Sequence, residues 1–204
     1  MALKQNVLYR QEALQLLRGR WAEAVIFTLV YFIISSAIGA IPGVNVLASF
    51  LISAPIGWSF EVGFLHLRRG GDLRVEGLFT CFKDYGRILS TVLLMLLYIV
   101  AWMMLLVVPG IIKGYSYAMT NYILLDNPEM RNNGAIELSM KMMEGNKMKL
   151  FLLDLSFIGW ILLSILTCGI GFLWLQPYMM SARAAFYEDL KAQPVDYNQV
   201  QPTF

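Results

Sequence analysis

Hydrophobic positions run in long blocks, and polar positions gather between them. Val25 to Phe60 holds no charged residue and is interrupted only at Pro42-Gly43; Ile88 to Val108 is likewise uncharged. A helix rises about 1.5 Å per residue, so roughly 20 apolar residues cross a hydrocarbon core of about 30 Å. The pattern predicts an all-α, polytopic membrane protein with about six transmembrane helices paired as three hairpins. The expected spans are Ala22–Ile41 with Val44–Leu67, Ile88–Val108 with Ile111–Leu125, and Leu150–Thr167 with Ile170–Tyr187. Pro42-Gly43, Pro109-Gly110 and Cys168-Gly169 make the three uncharged turns within the pairs. The fourth span is the shortest, and a re-entrant or partly spanning segment is its alternative.

A short amphipathic stretch precedes each odd-numbered span, at Glu12–Trp21, Glu76–Gly86 and Ala135–Gly145. In the second, Val75, Leu78, Phe79, Phe82 and Tyr85 fall at helical spacing. Each stretch ends near a Gly, with an uncharged turn about 20 residues further on. The expectation is one unit repeated three times, over about 7–67, 75–125 and 135–190, each an interfacial elbow helix followed by a hairpin. The elbows would lie in the headgroup plane, apolar face down and cations outward. Together the units make a single membrane domain over 1–190. Residues 191–204, with two Pro and no apolar period, read as a disordered cytoplasmic tail.

Charge orients the bundle. Of 16 Lys and Arg residues, 14 lie in the long connections Arg68–Arg87 and Asp126–Lys149 or at the chain ends; Lys113 and Arg183 are the exceptions. An excess of cations marks cytoplasmic loops, so both termini are expected inside. Composition agrees, with 58% hydrophobic and 15% charged residues and mean hydropathy +0.59. A net charge of +2 gives no reason to expect nucleic-acid binding. Cleavage of a signal peptide near Ala37–Ala40 would follow an apolar run longer than the usual 7–15 or so residues, so the first span is expected to stay. Cys81 and Cys168 fall on opposite sides of the membrane in this topology, which argues against a disulfide.

Ionisable residues within spans are costly, by roughly 2.5–3.5 kcal/mol at the bilayer centre, and so need partners or a task. The candidate intramembrane polar site comprises Glu61, Arg183, Lys113, Ser53, Gln176 and Asn121. Glu61 and Arg183 are expected to approach each other in the inner half of the bundle. Lys113 is expected to snorkel outward, and Asp154 to sit at the cytoplasmic interface. Lys113, Ser116, Tyr117, Thr120 and Asn121 share one helix face; Asn45, Ser49, Ser53, Gly57 and Glu61 follow at steps of four. The second stripe is either a close helix contact or a polar path to Glu61, with Pro55 on the same segment freeing a backbone carbonyl.

Catalytic signatures do not emerge. The single histidine, His66, stands at the inner end of the second span beside Arg68 and Arg69. The chain has no HExxH, no Gly-x-Ser-x-Gly, no Gly-Lys-Ser/Thr phosphate loop and no C-x-x-C spacing. No enzyme activity, metal or cofactor is expected.

Ala13-Leu14-Gln15-Leu16-Leu17-Arg18-Gly19-Arg20-Trp21, the run from Gly145 through Trp160, and Pro177-Tyr178 followed by Ala185-Phe186-Tyr187 carry a resemblance over nearly the whole chain. The chain resembles the bacterial integral membrane proteins grouped as domain-of-unknown-function family 975. That resemblance implies a bacterial cytoplasmic membrane and a six-span architecture, and it implies no activity.

Two functions are compatible with this sequence. The favoured one is a non-catalytic adaptor or accessory subunit of a membrane system, with a membrane-protein partner bound through the elbow faces around Arg18, Arg20, Lys83 and Arg87. The alternative is a small transporter or channel for a lipid, peptide or proton-coupled solute, working through Glu61, Lys113 and Arg183. Beyond the lipid bilayer itself, neither partner nor oligomeric state follows from the residues.

Overall fold

The computed structural model describes residues 3–40 and 46–193. Among them are ten α-helices, one 3-10 helix and no strand. In chain order they are α1 (Asn6–Leu17), α2 (Trp21–Ala40), α3 (Val46–Arg68), the 3-10 helix (Val75–Asp84), α4 (Tyr85–Leu105), α5 (Val107–Tyr117), α6 (Thr120–Asp126), α7 (Asn133–Met142), α8 (Lys147–Leu155), α9 (Ile158–Leu166) and α10 (Phe172–Lys191). Four segments are long and apolar enough to cross a membrane: Trp21–Ala40, Ser49–Arg68, Val75–Leu105 and Lys147–Leu166. Large apolar side chains crowd the exposed surface of α4, α5 and α9, up to Met104 at 84% and Leu166 at 81% exposure. Such a surface is tolerable against lipid and a liability in water.

The most polar of the long helices occupies the centre. α10 buries Leu175, Tyr178, Ser181, Ala182, Ala185, Phe186 and Tyr187 and packs against α1, α2, α3, α8 and α9. Its alanines and serine let neighbours approach closely, which is how helices associate where no water drives them together. α1 lays Tyr9, Ala13 and Leu17, spaced four apart and fully buried, onto α10. There the Tyr9 ring meets the edge of Phe186 at 5.4 Å, and its hydroxyl donates to Asp189 at 2.6 Å.

The second amphipathic stretch is a 3-10 helix rather than the expected α-helix. Three residues per turn bring i and i+3 into register. Leu78 and Cys81 therefore turn inward together, while Phe79, Phe82 and Tyr85 form an outer row of stacked rings at 6.3 and 5.9 Å. The third stretch, α7, buries Ala135, Ile136, Leu138, Ser139 and Met142 against α4, α5 and α6.

The fourth expected span, Ile111–Leu125, is two helices. Between α5 and α6 a side chain of α7 enters the backbone ladder. The Ser139 hydroxyl accepts from Met119 N at 3.1 Å and donates to Ser116 O at 2.8 Å. A side chain inserted in this way breaks a helix without orphaning its buried polar groups. The turn before α5 is also displaced from the expected Pro109-Gly110. Leu106 is the extended residue, at φ −157° and ψ 135°, and Pro109 sits in the first turn of α5, where its missing N–H is no loss. Gly110 is needed for contact: a Cβ there would lie 2.9 Å from Met103 Cα. The α9–α10 hairpin repeats the device seven residues apart, with a Cβ on Gly171 falling 2.8 Å from Ser164 Cα. Its turn is the expected Cys168-Gly169, both at positive φ (52° and 87°). Pro42-Gly43, Asn45 and the tail from residue 194 lie outside the described residues.

Ion pairs cover the end of the bundle where α3, α6 and α10 meet. Arg69 grips both oxygens of Asp126 (2.6 and 2.9 Å) and reaches Glu188 at 2.7 Å; Lys191 and Tyr187 also donate to Asp126. Burial by itself would push the Asp126 carboxyl up, but the hydrogen bonds from Arg69, Lys191 and Tyr187 outweigh it and hold it down to about 2. Arg87 donates to the carbonyls of Leu124, Asn127 and Met130 at 3.1, 3.4 and 3.0 Å, capping the end of α6.

Candidate functional site

Above this charged end lies a second polar layer. Glu61 is seven residues before Arg68 on α3, a rise of about 10 Å. A cavity of about 330 Å³ opens there, lined by Glu61 of α3, Met103 of α4, Tyr115 and Tyr117 of α5, Asn121 of α6, Asp154 of α8 and Arg183 of α10, among others. Every one of these helices except α4 supplies one or two polar groups to an otherwise apolar wall, as small-solute sites commonly do.

The ion pair in this cavity joins Arg183 to Asp154. Glu61 and Arg183 share the cavity but form no ion pair. Arg183 instead donates through Nε and Nη2 to the two oxygens of Asp154, at 3.1 and 2.7 Å. Asp154 also accepts from the Tyr115 hydroxyl at 3.2 Å. The Asp154 side chain is 15% exposed, held between α5 and α10. Glu61 accepts from Asn121 Nδ2 at 2.5 Å and has no cation in ion-pair contact among the described residues. A fork of two N–H donors matches a carboxylate plane, and Arg183 has spent that fork on Asp154.

With two carboxylates and one guanidinium, the cavity carries an excess of one negative charge when all are ionised. Three buried polar atoms on α6 and α10 also lack hydrogen-bond partners among the described residues, namely Asn121 Oδ1, Thr120 Oγ1 and Ser181 Oγ. Fully buried hydroxyls are normally satisfied, so α6 begins with unspent hydrogen-bonding capacity. The Tyr122 ring also stacks on Tyr187 at 5.0 Å. Since the Tyr187 hydroxyl donates to Asp126 at 2.9 Å, the two polar layers are joined by a pair of aromatic rings.

Of the six residues predicted from sequence, Glu61, Asn121 and Arg183 come together. The other three do not line the cavity. Lys113 Nζ stands 5.1 Å above the Trp102 ring, a cation–π contact on α4. The Ser53 hydroxyl is bonded to Ser49 O within α3 at 2.9 Å. Gln176 is half-buried on α10. Gly57, on the same stripe as Ser53, faces the Tyr31 hydroxyl of α2, so that step is a helix contact. Sequence reasoning missed Asp154, Tyr115 and Tyr122. Asp154 left a signal, being a carboxylate inside the fifth expected span, whereas the two tyrosines left none.

The elbow cations are also distributed unexpectedly. Arg20 is tied to Asp72 at 2.6 Å and to Gly71 O, and Arg87 to the α6 carbonyls. Arg18 and Lys83 are exposed. Among the described residues no three His, Cys, Asp or Glu side chains group as metal ligands.

No curated protein and no solved structure matches this chain. The model of one family, described as protein of unknown function (DUF975), matches residues 1–112 and 96–194. Those two overlapping matches take in nearly the whole chain, which therefore belongs to the DUF975 family.

Proposed function

We propose that this protein is a small, non-enzymatic membrane transporter that passes a proton or a cationic solute through the cavity at Glu61. The observation carrying this reading is the carboxylate imbalance: Asp154 pairs with Arg183, which leaves Glu61 without a cation in ion-pair contact among the described residues. A carboxylate so placed can bind and release a proton or receive a cation, the usual task of intramembrane acids. The hydroxyls of Thr120 and Ser181, without partners among the described residues, add hydrogen-bonding capacity on α6 and α10. An adaptor remains the second reading, supported by exposed Arg18 and Lys83 and the outer ring row of Phe79 and Phe82. Arg20 and Arg87, half of the cations on which it drew, are engaged internally.

In this reading α2, α3, α4, α5 with α6 as far as Leu125, α8 with α9, and α10 are six crossings of a bacterial cytoplasmic membrane. The three short helices before α2, α4 and α8 are then the cytoplasmic elbows, and both termini are inside. The support is the segregation of Lys and Arg away from the α4–α5 and α9–α10 turns.

The test is proton flux into proteoliposomes under an imposed potassium diffusion potential, followed by a trapped pH dye. Wild type is expected to acidify or alkalinise the lumen faster than empty vesicles, and Glu61→Gln to return the rate to that of empty vesicles while remaining monodisperse. If Glu61→Gln conducts as wild type does, Glu61 is not the transport residue and the reading fails.

A further inference from the structure

A proton carrier at Glu61 has no use for 330 Å³ of space or for an apolar wall, and the cavity has both. Met95, Ile99 and Met103 line it at steps of four, one stripe of α4 about 12 Å long. Ile111 of α5 and Leu150 of α8 extend the apolar surface. Gly114 borders it without a side chain, and a Cβ there would stand in open space. A cavity of about 150 Å³ takes a benzene ring, so this one suits a body of about a dozen non-hydrogen atoms.

The polar groups decide the sign of the charge that fits. Arg183 gives Nε and Nη2 to Asp154, so that pair sums to zero and Glu61 supplies the net negative charge. Asn121 and Tyr122, which reach the Glu61 carboxylate, are neutral. The rings of Tyr115 and Tyr117 also line the cavity, and aromatic faces attract cations. An inorganic cation is poorly served. A hard cation such as Ca²⁺ takes about six to eight oxygens, and among the described residues no three His, Cys, Asp or Glu side chains group together.

We infer that the cavity binds an organic ammonium ion with an apolar body, its nitrogen on Glu61 and its body along Met95, Ile99 and Met103. The inference rests on the transport reading and names the class of its cargo. Pairing cancels the charges of ligand and carboxylate together, so neither is left unmatched in apolar surroundings. The body gains by leaving water for an apolar wall. An anionic amphipath would set a second negative charge against Glu61, and a neutral one would leave the carboxylate without a counter-ion.

Equilibrium binding of radiolabelled 4-phenylbutylammonium to the purified full chain in a neutral detergent tests this, with protein-free micelles as the blank. The ammonium is expected to bind about tenfold more tightly than 4-phenylbutan-1-ol, which puts a hydroxyl in place of the charge. 4-Phenylbutanoate should not displace it. Glu61→Gln should bring the ammonium down to the level of the alcohol, and Ile99→Trp, which fills the cavity, should weaken both. Equal affinity for ammonium and alcohol, or undiminished binding in Glu61→Gln, overturns the proposal. Should Glu61→Gln fail to fold, Ile99→Trp decides: affinity equal to wild type would place the amine elsewhere. Binding is measured without flux, so the two failures separate. Glu61-dependent proton flux with no ammonium bound overturns the cargo class and leaves transport standing. Glu61-dependent binding in a chain whose flux survives Glu61→Gln supports the site and overturns transport.

Discussion

Arg183 of α10 and Asp154 of α8 face each other as a two-pronged ion pair, Nη2 to Oδ2 at 2.7 Å and Nε to Oδ1 at 3.1 Å. Their side chains are 29% and 15% exposed, so neither charge has free access to solvent. Removing one partner leaves the other partly buried and unpaired, which typically costs about 3–5 kcal/mol, more than the pair itself contributes. Asp154→Asn and Arg183→Gln should each lower the midpoint of thermal unfolding in detergent. The double variant should lose much less than the sum. Additive losses would mean that the two charges are not coupled.

Ser139 should matter for a helix to which it does not belong. Its hydroxyl serves Met119 N and Ser116 O at the break between α5 and α6. Ser139→Ala orphans both groups in a fully buried place, at about 1–3 kcal/mol each. Hydrogen exchange should quicken at the amides of residues 117–120 ahead of global unfolding. Unchanged protection there would show that the break is held by other contacts.

The two glycines at the hairpin ends should not tolerate a methyl group. Gly171→Ala drives a Cβ to 2.8 Å from Ser164 Cα, and Gly110→Ala to 2.9 Å from Met103 Cα. Backbone must move in each case, at about 1–3 kcal/mol. Gly159 in α9 has nothing within 4 Å of its would-be Cβ, so Gly159→Ala should be neutral or stabilising by up to about 1 kcal/mol. Equal effects of Gly159→Ala and Gly171→Ala on thermal stability would contradict the close approach.

Stability should fall in acid through Asp126. The carboxyl is held down to about 2 by Arg69, Lys191 and Tyr187 against the cost of its burial. A depressed carboxyl contributes stability that is complete above its unfolded value near 4 and is lost as pH drops toward 2. The shift corresponds to about 2 kcal/mol. Asp126→Asn should flatten that segment of the stability profile and lower the plateau at neutral pH. A variant as acid-sensitive as wild type would assign the effect to another carboxylate, with Glu12 next, since Lys4 and Arg68 outweigh its burial and lower its carboxyl as well.

Cys168 is exposed in a tight turn and Cys81 is buried; neither is in a disulfide. With both termini inside, a membrane-impermeant maleimide applied to intact spheroplasts should label Cys168 and leave Cys81 unmodified until the protein is denatured. Labelling of Cys168 only after the membrane is opened would invert the proposed orientation.

The sequence by itself determined that the chain is helical, where its apolar helices lie and that its charges avoid two of the turns. These depend on neighbours a few residues apart: an uncharged run of sufficient length, a period of three to four, a glycine at a turn. Leu78 and Phe82 could be recognised as parts of an amphipathic element in that way, though not that the element winds with three residues per turn. Sequence also pointed to Glu61, Asn121 and Arg183 as polar residues of one site, because a charge or an amide in an apolar run is visible without coordinates. Only tertiary structure decided which charge meets which. Asp154 and Glu61 are both acids on apolar helices, and the direction each helix presents to α10 chooses between them. The break in the fourth expected span was equally hidden, since Ser139, the residue occupying it, lies 20 positions beyond Met119. Helix formation is a local equilibrium, whereas the partner of a buried polar group is set by packing among residues distant in the chain.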